Sequence, residues 1–195
     1  GAGQVLGSAG PCYTRSGGGL PVIGIMQFDD ADIASMETNG TFEGVIMHEM
    51  LHVIGVGTMW GPHLIGRGTP SVGFTGQTAK DYCLDLVGSS CSVAVPVENT
   101  GGPGTADAHW RESVFDNELM TGYIDRGGMP LSLVTIGSLG DIGYGVNPSA
   151  ADAFPGTIAA ARLPGSGTTP NVAGWERPLL PRREISRTGR VTEVQ

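Results

Sequence analysis

The sequence is poor in lysine and has no long hydrophobic run. Lys80 is its one lysine, and 11 basic residues against 19 acidic ones give a formal net charge of -8. Because contacts to phosphate need clustered basic side chains, this balance argues against a nucleic-acid-binding protein. The one basic cluster lies in the last 15 residues, a position typical of a solvated tail, and consists of Arg182, Arg183, Arg187 and Arg190. No stretch of about 18 apolar residues occurs, so no transmembrane segment is predicted.

Cysteine is also scarce, with three residues in 195. Cys83 and Cys91 are close together in a loop-like region, and we expect them to form a local disulfide in an oxidising compartment. That leaves Cys12 without an assigned partner. The first residue is glycine and no signal peptide is visible, so we expect a processed mature form or an excised piece of a longer chain. The expected location is secreted or cell-surface.

Glycine and proline, in contrast, are abundant, with 33 and 13 residues. They favour turns and irregular loops over long regular elements, within one globular domain. Residues 1–20 are glycine-rich and polar, and the stretch RSGGGLP (15–21) predicts a loop. The apolar, β-branched run PVIGIMQF (Pro21–Phe28) predicts a buried strand, and residues 29–40 a polar connection with one helical turn. Residues 61–108 have no clear periodicity and predict a long loop-rich insertion.

Two segments have the apolar periodicity of a helix. The first covers residues 41–54, with Asn39 as its candidate cap and glycines after its end. The second covers residues 132–143, with Ser132 as its candidate cap and Gly143 as its stop.

The first of these helices carries the pattern H-E-x-x-H, formed by His48, Glu49 and His52. Two histidines four residues apart share one helix face, so both imidazoles can reach one ion, and zinc suits imidazole nitrogen. Glu49 lies beside the ion, where a general base must be to take a proton from a metal-bound water. Gly55 follows, and a glycine there allows the backbone to turn sharply with a positive φ.

A catalytic zinc ion needs a third protein ligand besides its water, and the chain offers few candidates. His63 and His109 are the remaining histidines, and Glu112 is an acidic alternative. Glu112 with Asp116 mimics the E-x-x-x-D pair of the gluzincin class of zinc peptidases. The turn at Gly55 and the long spacing argue against that pair, because a glutamate ligand goes with a helix that continues.

The pattern H-E-x-x-H-x-x-G of residues 48–55 resembles the start of the metzincin zinc-peptidase signature. The usual third histidine of that signature would fall at position 58, which is Thr58. The leishmanolysin-like branch departs from the signature in this way, because a long insertion separates its glycine from its third histidine. Residues 108–122 (AHWRESVFDNELMTG) resemble the segment that supplies this histidine. Further likenesses, between about Ala9 and Phe154, are AGPC, LPVIGIMQFDDAD, PVEN and SLVTIGSLGDIGY.

This resemblance implies an α+β fold of the metzincin type, with a zinc helix, a long insertion and a C-terminal methionine-turn subdomain. It implies His109 as the third ligand and Met120 as the methionine of the turn beneath the zinc. Tyr123 is a candidate oxyanion donor. The expected organisation is a remnant of the upper catalytic subdomain (1–60), a loop-rich insertion (61–108), a lower catalytic subdomain (109–154) and an extended tail (155–195).

The upper subdomain of a metzincin has a sheet of several strands, but only about 40 residues precede the zinc helix here. We therefore expect the upper sheet to be incomplete in this chain, and a preceding segment of the same precursor to be missing.

The predicted function is a zinc-dependent endopeptidase that acts on protein or peptide substrates. Zn²⁺ is expected on His48, His52 and His109, with Glu49 as the general base. Two alternatives remain: a gluzincin-type peptidase with Glu112 as its third ligand, and a non-catalytic zinc-binding module. The presence of Glu49 argues against the second alternative.

Overall fold

The fold is a mixed α+β arrangement, seen in a computed structural model that describes residues 7–17, 19–125, 127–154 and 183–193. The strands in these ranges are β1 (Gly7–Arg15), β2 (Pro21–Phe28), β3 (Leu64–Ile65), β4 (Gly73–Phe74), β5 (Val95–Pro96), β6 (Arg183–Ile185) and β7 (Val191–Glu193). The helices are α1 (Asp30–Asn39), α2 (Phe42–Ile54), α3 (Gln77–Val87), α4 (Glu112–Phe115) and α5 (Leu133–Asp141). The predicted fold class is confirmed.

The upper sheet has four strands in the order β2-β1-β6-β7. β1 pairs antiparallel with β2 and parallel with β6, where Tyr13 lies opposite Arg183. The predicted strand β2 is confirmed with its bounds, but the expectation that it is buried is wrong. Because β2 lies at the sheet edge among the described strands, its side chains stay accessible, and Val22 and Ile23 are 44% and 55% exposed.

β1 occupies a glycine-rich segment in which the sequence predicts no strand. Its first four residues, Gly7 to Gly10, are small, and the strand packs against α2. Ala9 is fully buried, and a Cβ placed on Gly7 would lie 2.5 Å from Glu49 Oε1. A strand that packs this closely needs glycine and alanine, which carry little strand signal in a sequence.

The segment after β2 is the ten-residue helix α1 rather than a polar connection with one helical turn. The Asp29 side chain accepts a hydrogen bond from the backbone N–H of Ala31 at 3.0 Å, and Gly40, at φ 71°, ends the helix. Asn39 is therefore the last residue of α1. Thr41 is the N-cap residue of α2, so the expectation that Asn39 caps α2 is wrong.

The insertion is more ordered than the predicted loop-rich segment. It contains the small sheet β3-β4-β5 and the eleven-residue helix α3. α3 has no capping side chain of its own; the carboxylate of Asp141, at the end of α5, accepts hydrogen bonds from the backbone N–H groups of Thr78 and Ala79, both at 2.9 Å. The predicted disulfide between Cys83 and Cys91 is confirmed, and Cys12 has no disulfide within the described residues.

The main hydrophobic core contains residues of both the insertion (61–108) and the segment that follows it (109–154). At its centre the rings of Trp60 and Trp110 lie 4.1 Å apart, and both side chains are fully buried. α5 packs against this core through Val134 and Leu139. The helix begins as predicted, since Ser132 Oγ accepts from the backbone N–H of Thr135 at 3.4 Å. Gly143, with φ 113°, follows its end.

Residues 183–193 of the expected tail form a β6–β7 hairpin that extends the upper sheet. Arg183 donates a hydrogen bond to the Tyr13 hydroxyl at 3.2 Å, while Arg182 lies outside the described residues. The existence of a further segment before residue 1 stays a prediction. None of the described helices is long and apolar enough to cross a membrane.

Candidate metal centre

Three histidine side chains converge on one point. Two of them are on α2, the helix that packs against β1 and β2. The Nε2 atoms of His48 and His52 lie 3.1 Å apart, those of His52 and His109 3.1 Å, and those of His48 and His109 3.2 Å. All three side chains are buried. Among the described histidine, cysteine and acidic residues, they form the group whose ligand atoms are close enough to hold one metal ion.

The other nitrogen of each ring lies at hydrogen-bond distance from a backbone carbonyl. Because a carbonyl oxygen only accepts, each Nδ1 carries the ring proton and each Nε2 presents a lone pair. The acceptors for His48, His52 and His109 are the oxygens of Leu119, Val56 and Thr105, at 2.6, 2.8 and 3.1 Å.

A zinc ion fits this arrangement. Three buried lone pairs that face one another at this distance repel, and a cation between them removes the repulsion. Tetrahedral zinc with Zn–N bonds of about 2.0–2.1 Å places its nitrogen ligands roughly 3.3 Å apart, close to the observed separations. Hydrogen bonds from the outer ring nitrogens to backbone carbonyls are typical of zinc-bound histidine.

α2 carries two of the three histidines, and the chain changes direction sharply at its C-terminal end. Gly55 ends the helix with φ 117°, as the sequence predicts. Thr58, at the position of the third ligand in a compact signature, is buried and donates its hydroxyl hydrogen to the carbonyl of His52 at 2.7 Å. Thr58 thus stabilises the end of the helix that carries His52.

His109 reaches the centre because the returning chain packs against this turn. Gly57 has φ 73°, and a Cβ on it would overlap the carbonyl oxygen of Ala108, the residue before His109. On the other side, the backbone N–H of Glu98 donates to the carbonyl of His109 at 2.8 Å. Glycine at 57 therefore permits the contact that brings the third histidine in.

Glu49 is on α2 between the two helical histidines and is 3% exposed. Its carboxylate lies directly beneath Gly7 of β1, too close for any side chain at that position. The contact at Gly7 could not be predicted, because nothing in the local sequence distinguishes this glycine from the others of the segment.

Met120 is fully buried, in the turn that follows α4. The backbone N–H of Trp110 donates to the Met120 carbonyl at 2.9 Å, and the Met120 N–H donates to Glu118 Oε2 at 2.6 Å. The position of Met120 beneath a metal ion stays a prediction. Glu118 could not be predicted from the sequence, because its partners Ser132 and Thr135 lie 14 and 17 residues further along the chain.

The other candidate ligands, His63 and Glu112, are not part of this group of three histidines. The ring of His63 packs against Phe74, with centroids 5.3 Å apart. Glu112 and Tyr123 line a pocket of about 470 Å³ that none of the three converging histidines lines. Burial raises the pKa of Glu112 to about 8, and burial together with the charges of Glu98 and Glu112 raises the pKa of Tyr123.

Comparison with protein families matches the chain to the leishmanolysin family over residues 2–163. The chain belongs to the leishmanolysin family. The resemblance predicted from the zinc-helix and His109 segments is thereby confirmed. No curated protein and no solved structure matches the chain.

Membership of the leishmanolysin family implies a metallopeptidase, a hydrolase whose substrates are proteins or peptides. The three converging histidines agree with this assignment, because they supply a site for a divalent metal ion. Leishmanolysin-family proteins are typically extracellular or surface-bound, and the disulfide between Cys83 and Cys91 suits such a location.

Proposed function

We propose that this chain is a zinc-dependent endopeptidase with His48, His52 and His109 as zinc ligands and Glu49 as general base. The observation that carries the proposal is the convergence of three Nε2 atoms within 3.2 Å, each on a ring whose Nδ1 hydrogen-bonds to a backbone carbonyl. This donor set favours zinc over calcium or magnesium, which prefer oxygen ligands.

Zinc, when bound, supplies a Lewis acid that lowers the pKa of a water molecule to about 7 and polarises a peptide carbonyl. The protein contributes ring orientation, because the backbone carbonyls hold each imidazole with Nε2 towards the centre. The three rings are buried, and a site with little bulk water strengthens electrostatic interactions.

Glu49 is the proton carrier in this proposal. Its carboxylate takes a proton from the attacking water and passes it to the nitrogen of the leaving peptide as the C–N bond breaks. The helix fixes Glu49 next to His48, and β1 covers it at Gly7, so its side chain has little freedom. Met120 as the floor of the site and Tyr123 as an oxyanion donor complete the proposal.

The expected substrates are internal peptide bonds of proteins, and the expected location is secreted or cell-surface. Family membership supports peptide substrates and an extracellular setting. We further propose that the enzyme cleaves within a chain rather than at its ends. Mass spectrometry of the products from an unlabelled protein substrate tests this.

Metal analysis of His109→Ala tests the ligand set. We expect purified wild-type protein to hold one zinc ion per chain and His109→Ala to hold none after dialysis, because removing one of three protein ligands from a catalytic zinc site leaves too few. The measurement is zinc content per folded chain.

Two matched controls accompany this variant. His63→Ala removes a histidine that packs on Phe74, and Glu112→Ala removes the acidic alternative ligand, so both should retain zinc. Stoichiometric zinc in His109→Ala contradicts the ligand assignment, and loss of zinc in Glu112→Ala alone supports the gluzincin-type alternative.

A further inference from the structure

Glu118 is a fully buried glutamate that the proposed mechanism does not use. Its Oε2 accepts from the backbone N–H of Met120 at 2.6 Å. Its Oε1 accepts from the backbone N–H of Ser132 at 3.1 Å, the Ser132 hydroxyl at 2.7 Å and the Thr135 hydroxyl at 2.6 Å. Burial raises the pKa of Glu118, and these four hydrogen bonds oppose that shift. The carboxylate therefore ties the turn of residues 118–121 to the N-terminus of α5.

That turn holds the first histidine of the metal centre. The carbonyl of Leu119, the residue between Glu118 and Met120, is the acceptor for His48 Nδ1 at 2.6 Å. The direction of this carbonyl sets the ring orientation of His48 and keeps the proton on Nδ1, so that Nε2 faces the other two histidines. A displaced turn would withdraw this acceptor.

The same network reaches the third histidine through its neighbour. The Trp110 backbone N–H donates to the carbonyl of Met120 at 2.9 Å, and Trp110 Nε1 donates to Thr135 Oγ1 at 2.8 Å. Thr135 in turn donates to Glu118. The backbone position of His109 thus depends on the turn and on α5, the two parts of the chain that Glu118 joins.

We propose that Glu118 is a positioning residue for the metal centre, which acts by holding the turn whose carbonyl orients His48 and whose backbone fixes the segment of His109. This inference rests on the proposed function, since it assigns Glu118 a role in forming the zinc site. Glu118 is not one of the residues whose ligand atoms converge on the metal site.

Glutamine cannot replace Glu118 in this role although it has the same size. Each carboxylate oxygen accepts from a backbone N–H, one from Met120 and the other from Ser132. A glutamine amide has one acceptor oxygen and one donor NH₂ group, so in either orientation its NH₂ faces a backbone N–H. One of the two connections, to the turn or to α5, is lost.

The test is the zinc affinity of Glu118→Gln, measured by competition with a chromophoric chelator. We expect zinc binding to weaken by about 10- to 100-fold, the usual effect of removing a residue that orients a metal ligand. A second readout is the visible absorption spectrum of the cobalt-substituted protein, which reports ligand orientation and should change in the variant.

Asp141→Asn is the matched control. The Asp141 carboxylate also accepts from two backbone N–H groups, those of Thr78 and Ala79, but at the far end of α5. This variant should lose thermal stability in the metal-free form while its zinc affinity and cobalt spectrum stay those of the wild type. Wild-type zinc affinity in Glu118→Gln, or equal losses of affinity in both variants, overturns the inference.

Thr135→Val takes the place of Glu118→Gln if that variant does not fold. It removes one donor to Glu118 and the acceptor of Trp110 Nε1, and should weaken zinc binding in a folded protein. Unchanged affinity in folded Thr135→Val overturns the inference. A wild-type chain that takes up no zinc contradicts the proposed function itself, whereas normal zinc uptake with an unaffected Glu118→Gln contradicts the positioning role alone.

Discussion

Backbone carbonyls orient the three histidines of the metal centre. Leu119, Val56 and Thr105 each accept from one Nδ1, and none of the three is a residue whose identity a ligand pattern would specify. His48, Glu49 and His52 could be predicted because their spacing follows the helix. His109 could not be derived from spacing, since it lies 57 residues beyond His52 and needed the family resemblance.

Glu49→Gln should keep zinc and lose peptidase activity. The change removes the group that accepts the proton but leaves all three proposed ligands, so activity should fall by about 10²- to 10⁴-fold. The measurements are zinc content and the rate of cleavage of an internally quenched peptide. Glu43→Gln, on an exposed position of the same helix, serves as the control and should behave as wild type. Full activity in Glu49→Gln would exclude Glu49 as the base.

Among the elements, those with local signals could be predicted from the sequence. α2 and α5 have apolar periodicity with a glycine at or shortly after their end, and β2 is a β-branched run after a proline. α3 could not be predicted, because the carboxylate that caps it belongs to Asp141, 62 residues after Ala79. β1 was missed for a related reason: its small residues are required by the contact with α2, which no strand pattern reports.

The turn after α2 should be sensitive to any side chain at Gly57. Gly57 and Gly40 have nearly the same backbone conformation, with φ 73° and 71°, but a Cβ on Gly40 meets no atom within 4 Å. Gly40→Ala should therefore cost only the left-handed strain, about 1–2 kcal/mol. Gly57→Ala should cost more and also weaken zinc binding, because it pushes Ala108 and hence His109 away.

Urea unfolding and chelator competition on the two variants measure these effects. Equal losses of unfolding free energy, with normal zinc affinity in Gly57→Ala, would show that the approach of Ala108 does not position His109.

The whole molecule should become less stable as the pH rises from about 5 to 8 because of Glu112. Burial raises the pKa of this carboxyl from its ordinary 4.5 to about 8, and the charges of Asp125 and Asp116 add to the effect. The folded chain binds this proton more tightly than the unfolded chain, so the stabilisation is complete below pH 4.5 and is lost as the pH rises through about 8. Glu112→Gln should therefore gain stability relative to wild type across this window.

Unfolding free energies at several pH values check this prediction. Glu98→Gln is the control, because the pKa of Glu98 is shifted in the opposite direction. Burial opposes the ionisation of Glu98, but its hydrogen bonds outweigh burial and its pKa is lowered. Its stabilisation is present above the ordinary pKa of 4.5 and is lost as the pH falls, so Glu98→Gln should be less stable than wild type at neutral pH. A pH-independent difference between wild type and Glu112→Gln would contradict the shift.

The pairing of β1 with β6 also affects the order in which contacts form during folding. Tyr13 and Arg183 are 170 residues apart, whereas the residues that form the metal centre all precede Phe154. Contacts of such long range close the largest loop and form late. During synthesis, the histidines can therefore come together while one side of β1 still awaits its partner. The strand that covers Glu49 obtains its second neighbour only when residues 183–185 emerge from the ribosome.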